Sequence, residues 1–168
     1  MTYNTVFMKR LILIMTLLSA MFRVTSVDCH AQQSADVQRT MDGIVMKHEE
    51  SQGVSCIKVV KGKGLEMLKM MFNKEFGKDF MKGVSSITLI EYGDASEETC
   101  KALRKDMDAF LALLREFDVS KERQFDGNDY LRCFASVTDS ATLSDFVIAL
   151  ENDNSKMLMY MAGKIEIE

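Results

Sequence analysis

From residue 35 onward, apolar positions return at helical intervals. Val37, Met41, Ile44 and Val45 share one stripe, with His48 on or beside it. That spacing predicts an amphipathic helix over 35–50, with Ser34 as N-cap and Gly53 past its end. Residues 54–60 are short and β-branched between Gly53 and Lys61-Gly62-Lys63-Gly64, which predicts a strand. Leu65, Leu68, Met71 and Phe72 predict a short helix over 65–72, followed by a glycine-punctuated connection over 73–83 anchored by Phe76, Phe80 and Met81. Residues 84–92 alternate, with Ile87 and Leu89 on one side and Thr88 and Ile90 on the other, as a second strand does.

The clearest helical pattern follows. Leu103, Met107, Phe110, Leu114 and Phe117 step by four, three, four and three, which predicts a helix over 95–118. Asp94 and Glu97 form a start resembling a capping box. Past the polar loop 118–128 come three alternating segments. Leu131, Cys133, Ala135 and Val137 line the first, and Phe146, Ile148 and Leu150 the second; the third presents Met157, Met159 and Met161 on one side and Leu158, Tyr160 and Ala162 on the other. The Asn- and Asp-rich residues 151–155 suit a hairpin loop. These elements predict one α+β domain, a roughly five-stranded, mostly antiparallel sheet with two to three helices packed on one face.

The first thirty residues follow a different logic. Lys9 and Arg10 precede the apolar run 11–22, and polar residues then lead to Cys29-His30-Ala31. Basic, apolar and small-residue segments in that order predict a secretory signal over 1–31, cleaved after Ala31 to leave 32–168 as the domain. Met8 is as good a start as Met1. The run covers 12 residues, whereas crossing a membrane takes about 20, so no transmembrane span is expected after cleavage. Lipid attachment at Cys29 is disfavoured because Ser26-Val27-Asp28 lack the small residue expected before a lipidated Cys. The expected location is periplasmic or secreted.

Losing Lys9, Arg10, Arg23 and Asp28 leaves 18 basic and 24 acidic side chains, a net −6. A polyanion is repelled by that charge, so nucleic acid is not an expected partner. Cys56, Cys100 and Cys133 remain, an odd number with no CxxC pair, which points away from a zinc knuckle or a disulfide framework. A Cys56–Cys133 bridge between strands is open in an oxidising compartment, although three free cysteines packed as small apolar residues fit better.

The residues Met8-Lys9-Arg10, the strand over 54–60, the run Val84-Ser85-Ser86-Ile87-Thr88-Leu89-Ile90 and the ending Met157-Leu158-Met159-Tyr160-Met161-Ala162-Gly163-Lys164-Ile165 together give the chain a family likeness. It resembles domain-of-unknown-function family 4252, exported proteins of Gram-negative bacteria. Such a resemblance covers nearly the whole mature chain. It implies the fold and the compartment, carries no catalytic residues, and implies a link to envelope signalling through neighbouring extracytoplasmic sigma-factor genes.

Candidate chemistry is sparse. Lys61-Gly62-Lys63-Gly64 between a strand and a helix could cradle an anion, yet the P-loop spacing is absent and solvated lysines explain it. Met157, Met159 and Met161 alternate on a strand, so their thioethers share a face and form a candidate copper(I) site; core packing explains them better in a chain with 14 Met and no second ligand cluster. His48 is the one imidazole left in the mature chain, and no second member of a catalytic triad can be named beside it. The carboxylate pairs Glu97 and Glu98, and Asp106 and Asp108, suit a solvated helix face. Charge is unevenly spread: residues 58–82 hold seven Lys against Glu66, Glu75 and Asp79, while 91–118 hold eight acids against Lys101, Arg104, Lys105 and Arg115. Opposite-sign faces of this kind can orient a partner, although more often they are solvated surfaces that offset each other. The expectation is a non-enzymatic, cofactor-free exported module that binds an envelope partner or itself, with copper(I) carriage on the methionine face as the alternative.

Overall fold

In the computed structural model, α1 (Gln33–His48), β1 (Ser55–Val59), α2 (Lys63–Phe76), β2 (Gly83–Glu91), α3 (Glu97–Leu111), β3 (Arg115–Phe117), β4 (Tyr130–Val137), β5 (Thr142–Asn152) and β6 (Ser155–Glu166) follow one another. The structure describes residues 33–76, 81–117, 130–137, 142–152 and 155–166. The expected leader 1–31, Cys29 and the loop 118–128 lie outside the described residues.

Six strands build one antiparallel sheet in the order β1-β2-β6-β5-β4-β3. The last strand of the chain is therefore inserted at its centre, between β2 and β5. The hairpin of β5 and β6 runs in register from Leu150 opposite Met157 to Phe146 opposite Met161, and its link lies at 152–155 as the Asn-rich run predicts.

Both faces of the sheet are apolar, and both are covered. On one face Ile90, Leu158, Tyr160, Val147 and Phe134 meet Val37, Met41 and Ile44 of α1 and Leu103, Met107 and Phe110 of α3. On the other, Ile87, Leu89, Phe146, Ile148 and the three alternating methionines of β6 form a second cluster, joined by Leu65 of α2 with Leu68 against it. The expectation that all helices pack on one face is thus corrected: α2 covers the face opposite α1 and α3. Its physical reason is in the strands themselves, since a sheet with apolar residues at consecutive positions needs cover on both sides.

The sixth strand is a second correction. The stripe predicted to run helically to Phe117 ends at Leu111. There the amides of Leu113 and Leu114 bond three residues back, to the carbonyls of Phe110 and Leu111. Arg115–Phe117 then extend to pair with Ala135–Cys133 of β4. Helix periodicity cannot exclude this outcome, because pairing with a distant strand satisfies the same backbone groups.

Helix α3 also starts later than the Asp94 cap implies. Ser96 is the N-cap, its hydroxyl accepting from the Thr99 amide at 3.2 Å. Asp94 instead lies against Gly53, which turns the chain after α1 with φ +77; a Cβ at Gly53 would come 2.3 Å from the Asp94 carbonyl oxygen. Helix α2 spans Lys63–Phe76, longer at both ends than the predicted 65–72.

Candidate interaction surface

Sequence reading marks three kinds of residue as chemical candidates, and the fold assigns most of them to cohesion. Met157, Met159 and Met161 do share a face of β6, each 2% exposed or less. Their cross-strand neighbours are Leu150, Ile148 and Phe146 on β5, and on β2 Met159 and Met161 face Leu89 and Ile87. Hydrocarbon flanks Met159 and Met161 on both sides, Met157 lies between Leu150 and Glu91, and the thioethers fill the space of the core. Among the described residues no group of three or more His, Cys, Asp or Glu side chains converges to hold a metal ion.

The three cysteines among the described residues are free: Cys100 and Cys133 are buried, and Cys56 is half-buried. Cys56 sits on β1 and packs toward α1 and α3, whereas Cys133 on β4 faces the other way. Three strands separate them, roughly 19 Å at the usual strand spacing, far beyond the reach of a disulfide. The bridge left open by the sequence is therefore excluded. Burial pushes the Cys133 thiol up to about 12 and raises that of Cys56, with Glu49 adding to the latter. Both stay protonated at neutral pH, the opposite of an activated nucleophile.

His48 closes α1 against α3. Its Nε2 lies 2.7 Å from Asp106 Oδ2, and Lys47 Nζ donates to the same oxygen at 2.7 Å. These two bonds, Lys47 first, hold the Asp106 carboxyl below its ordinary value of 3.8, against the upward push of desolvation. A carboxyl whose folded value is depressed stabilises the fold above its unfolded value, and that contribution disappears as pH falls through the folded value. Asp106→Asn is expected to lower the melting temperature at pH 7, and the gap to the parent protein should narrow as pH falls from 7 to about 3. Thermal unfolding at the two pH values checks this; an equal gap at both means that ionisation of Asp106 is not what ties the helices.

A second tie fixes α3 to the hairpin. Arg104 is ion-paired with Glu151 of β5, beside Tyr92, whose phenol is pushed up by burial first and by Glu151 next. Much of the acidic charge predicted to face a partner is likewise matched within the chain, Glu97 by Lys101 at 3.1 Å and Glu116 by Arg132 at 2.8 Å.

Apart from Met46 of α1, 76% exposed, the exposed large apolar side chains among the described residues lie around β1 and α2. Strand β1 pairs with β2 alone and forms one edge of the sheet. Along it Ile57 is 51% exposed and Val60 just beyond is 45% exposed. The Lys61-Gly62-Lys63-Gly64 loop carries the chain from that edge into α2; Gly62 has φ +88 and its carbonyl accepts from the Glu66 amide at 3.2 Å, so the glycine serves the helix start. On α2, Met67 and Met70 are 58% and 68% exposed.

Reading the sequence for one apolar stripe per helix overlooks the two methionines. Met67 and Met70 stand three apart and off the Leu65–Leu68 stripe, and that offset is the signal that would have found them.

Comparison with protein-family models, with curated proteins and with solved structures finds no match for this chain.

Proposed function

We propose that this protein is an exported, non-catalytic module of the bacterial envelope that binds a protein partner through its open sheet edge. The single observation that carries the reading is β1, a strand with hydrogen-bonding groups on its unpaired side and a half-exposed Ile57 in its middle. An edge strand of this kind accepts an added strand, main-chain bonds supplying affinity and alternate side chains specificity. Natural sheets usually protect such an edge with charge or bulges; β1 pairs with β2 without a bulge, and its one charged residue, Lys58, is ion-paired with Asp42 of α1. The basic, apolar and small-residue order of residues 9–31 supports export, and the family likeness drawn from residues 84–90 and 157–165 supports an envelope setting.

Two measurements test the proposal. Mass spectrometry of the protein recovered from cells should find a chain beginning at Gln32; an intact N-terminus overturns the export part. Cross-linking in isolated envelopes should yield a discrete adduct that Ile57→Lys abolishes without changing the melting temperature. A clean monomer with no adduct, or an adduct indifferent to Ile57→Lys, overturns the edge as the binding surface.

A further inference from the structure

Helix α2 has two stripes. The inner one, Leu65 and Leu68, rests on the sheet. The outer one is Lys63, Met67, Met70 and Lys74, stepping by four, three and four, so the four side chains lie along one line of the helix. All four are exposed. Large exposed apolar side chains at helical spacing mark an interaction surface more often than isolated ones do, and unbranched thioethers adapt to a range of partner shapes. Lysines frame the two methionines at both ends. Among the described residues neither Lys63 nor Lys74 forms an ion pair, whereas Lys69 nearby is matched to Glu66 at 3.9 Å.

We propose that the outer stripe of α2 docks an acidic amphipathic helix of a partner protein. The complement follows from the order of the four residues: an acidic residue, an apolar one four positions on, a second apolar one three further, and an acidic residue four beyond that. Such a helix seats two apolar side chains on Met67 and Met70 and brings carboxylates to Lys63 and Lys74. A second copy of this chain does not fit. Two α2 stripes laid parallel set Lys63 against Lys63 and Lys74 against Lys74, and laid antiparallel they set Lys63 against Lys74, so like charges meet at both ends. The inference takes from the proposed function only the premise of a protein partner, and it concerns a helix face instead of the β1 edge.

The test titrates the purified protein with an 18-residue helical peptide of Ala and Gln carrying Glu-x-x-x-Leu-x-x-Leu-x-x-x-Glu, followed by fluorescence anisotropy at about 50 mM NaCl. Binding with a dissociation constant on the order of 100 µM is expected, since two apolar anchors and two exposed charge pairs make a small interface. The double variant Met67→Ser/Met70→Ser and the charge reversal Lys63→Glu/Lys74→Glu should each weaken it about tenfold or more, and about 0.5 M NaCl should weaken it as well. All four positions are exposed, so the variants should keep the parent circular dichroism spectrum and melting temperature. Ile57→Lys should leave peptide binding unchanged, which separates this surface from the sheet edge. The inference is overturned by equal binding of a peptide with Lys in place of Glu, by indifference to either double variant, or by no binding up to about 1 mM. It is also overturned if phosphatidylglycerol vesicles are bound and the acidic peptide is not, because the basic methionine face would then serve a lipid surface.

Discussion

Gly163→Ala is expected to destabilise the protein by more than about 3 kcal/mol, because it combines backbone strain with a collision that only backbone movement can relieve. Gly163 has φ +113, outside the range that side-chain-bearing residues adopt. It lies opposite Val84 in the pairing of β2 with β6, at a point where the register shifts by one residue and Ser85 is extra. A Cβ there would come 2.3 Å from the Gly83 carbonyl oxygen, 3.0 Å from the Ser85 amide nitrogen and 3.1 Å from the Val84 Cα. All three atoms are backbone of β2. Moving them breaks the ladder that holds β6 in the centre of the sheet, and with it the bond from the Ser85 hydroxyl to the Ala162 carbonyl at 3.2 Å. A loss of this size is a large part of the roughly 5–15 kcal/mol typical of a whole domain. Gly43 supplies the opposite case. It sits mid-helix in α1, and a Cβ added there would meet nothing within 4 Å, so Gly43→Ala should stabilise by about 0.5–1 kcal/mol through the unfolded chain. Urea midpoints of the two variants check both signs; a Gly163→Ala midpoint equal to the parent's means that the backbones of β2 and β6 leave room for a side chain at this point.

The amphipathic helices and the terminal hairpin are legible in the sequence because their signals are local. Val37, Met41 and Ile44, then Leu103, Met107 and Phe110, repeat at the helical period, and their burial follows from it. What periodicity cannot supply is anything decided by a distant strand. The residues after Leu111 continue the helical stripe, yet they become β3 because β4 offers Cys133–Ala135 for pairing. The second covered face is nonetheless written in β6, where Met157 to Ala162 are apolar at every position. Counting only one face of that run places every helix on the same side. The candidate surface is obscured in a similar way. In the sequence Met67 and Met70 merge into a methionine-rich composition, although two exposed methionines framed by Lys63 and Lys74 can be distinguished from a core stripe once Leu65 and Leu68 are assigned to the sheet.

Phe110→Ala is expected to cost about 3–5 kcal/mol, the usual range for removing a fully buried aromatic ring, and its effect should be coupled to Tyr160. Phe110 is completely buried on α3 and meets the Tyr160 ring edge to face, with centroids 5.8 Å apart at 82°. Tyr160 is itself 1% exposed, and its hydroxyl donates to Asp145 Oδ1 at 2.7 Å. Asp145 is a buried carboxyl-bearing residue at φ +53, within the register shift between Ser144 and Phe146 of β5. Burial, then the bond to Asp145, raises the Tyr160 phenol above its ordinary value, so it remains a proton donor throughout the stable pH range. Tyr160→Phe removes that donor and should cost about 1–3 kcal/mol, since a buried acceptor loses its bond and gains no water. Phe110 holds the Tyr160 ring in the position from which its hydroxyl reaches Asp145, so part of the cost of Phe110→Ala is a weakening of that same bond. In the double variant the bond is already gone and this part is not lost twice. The summed single costs should therefore exceed the double cost by about 0.5–3 kcal/mol. Chemical denaturation of the four proteins in the cycle measures the difference, and strictly additive costs would mean that Phe110 does not position the tyrosine that bonds Asp145 Oδ1.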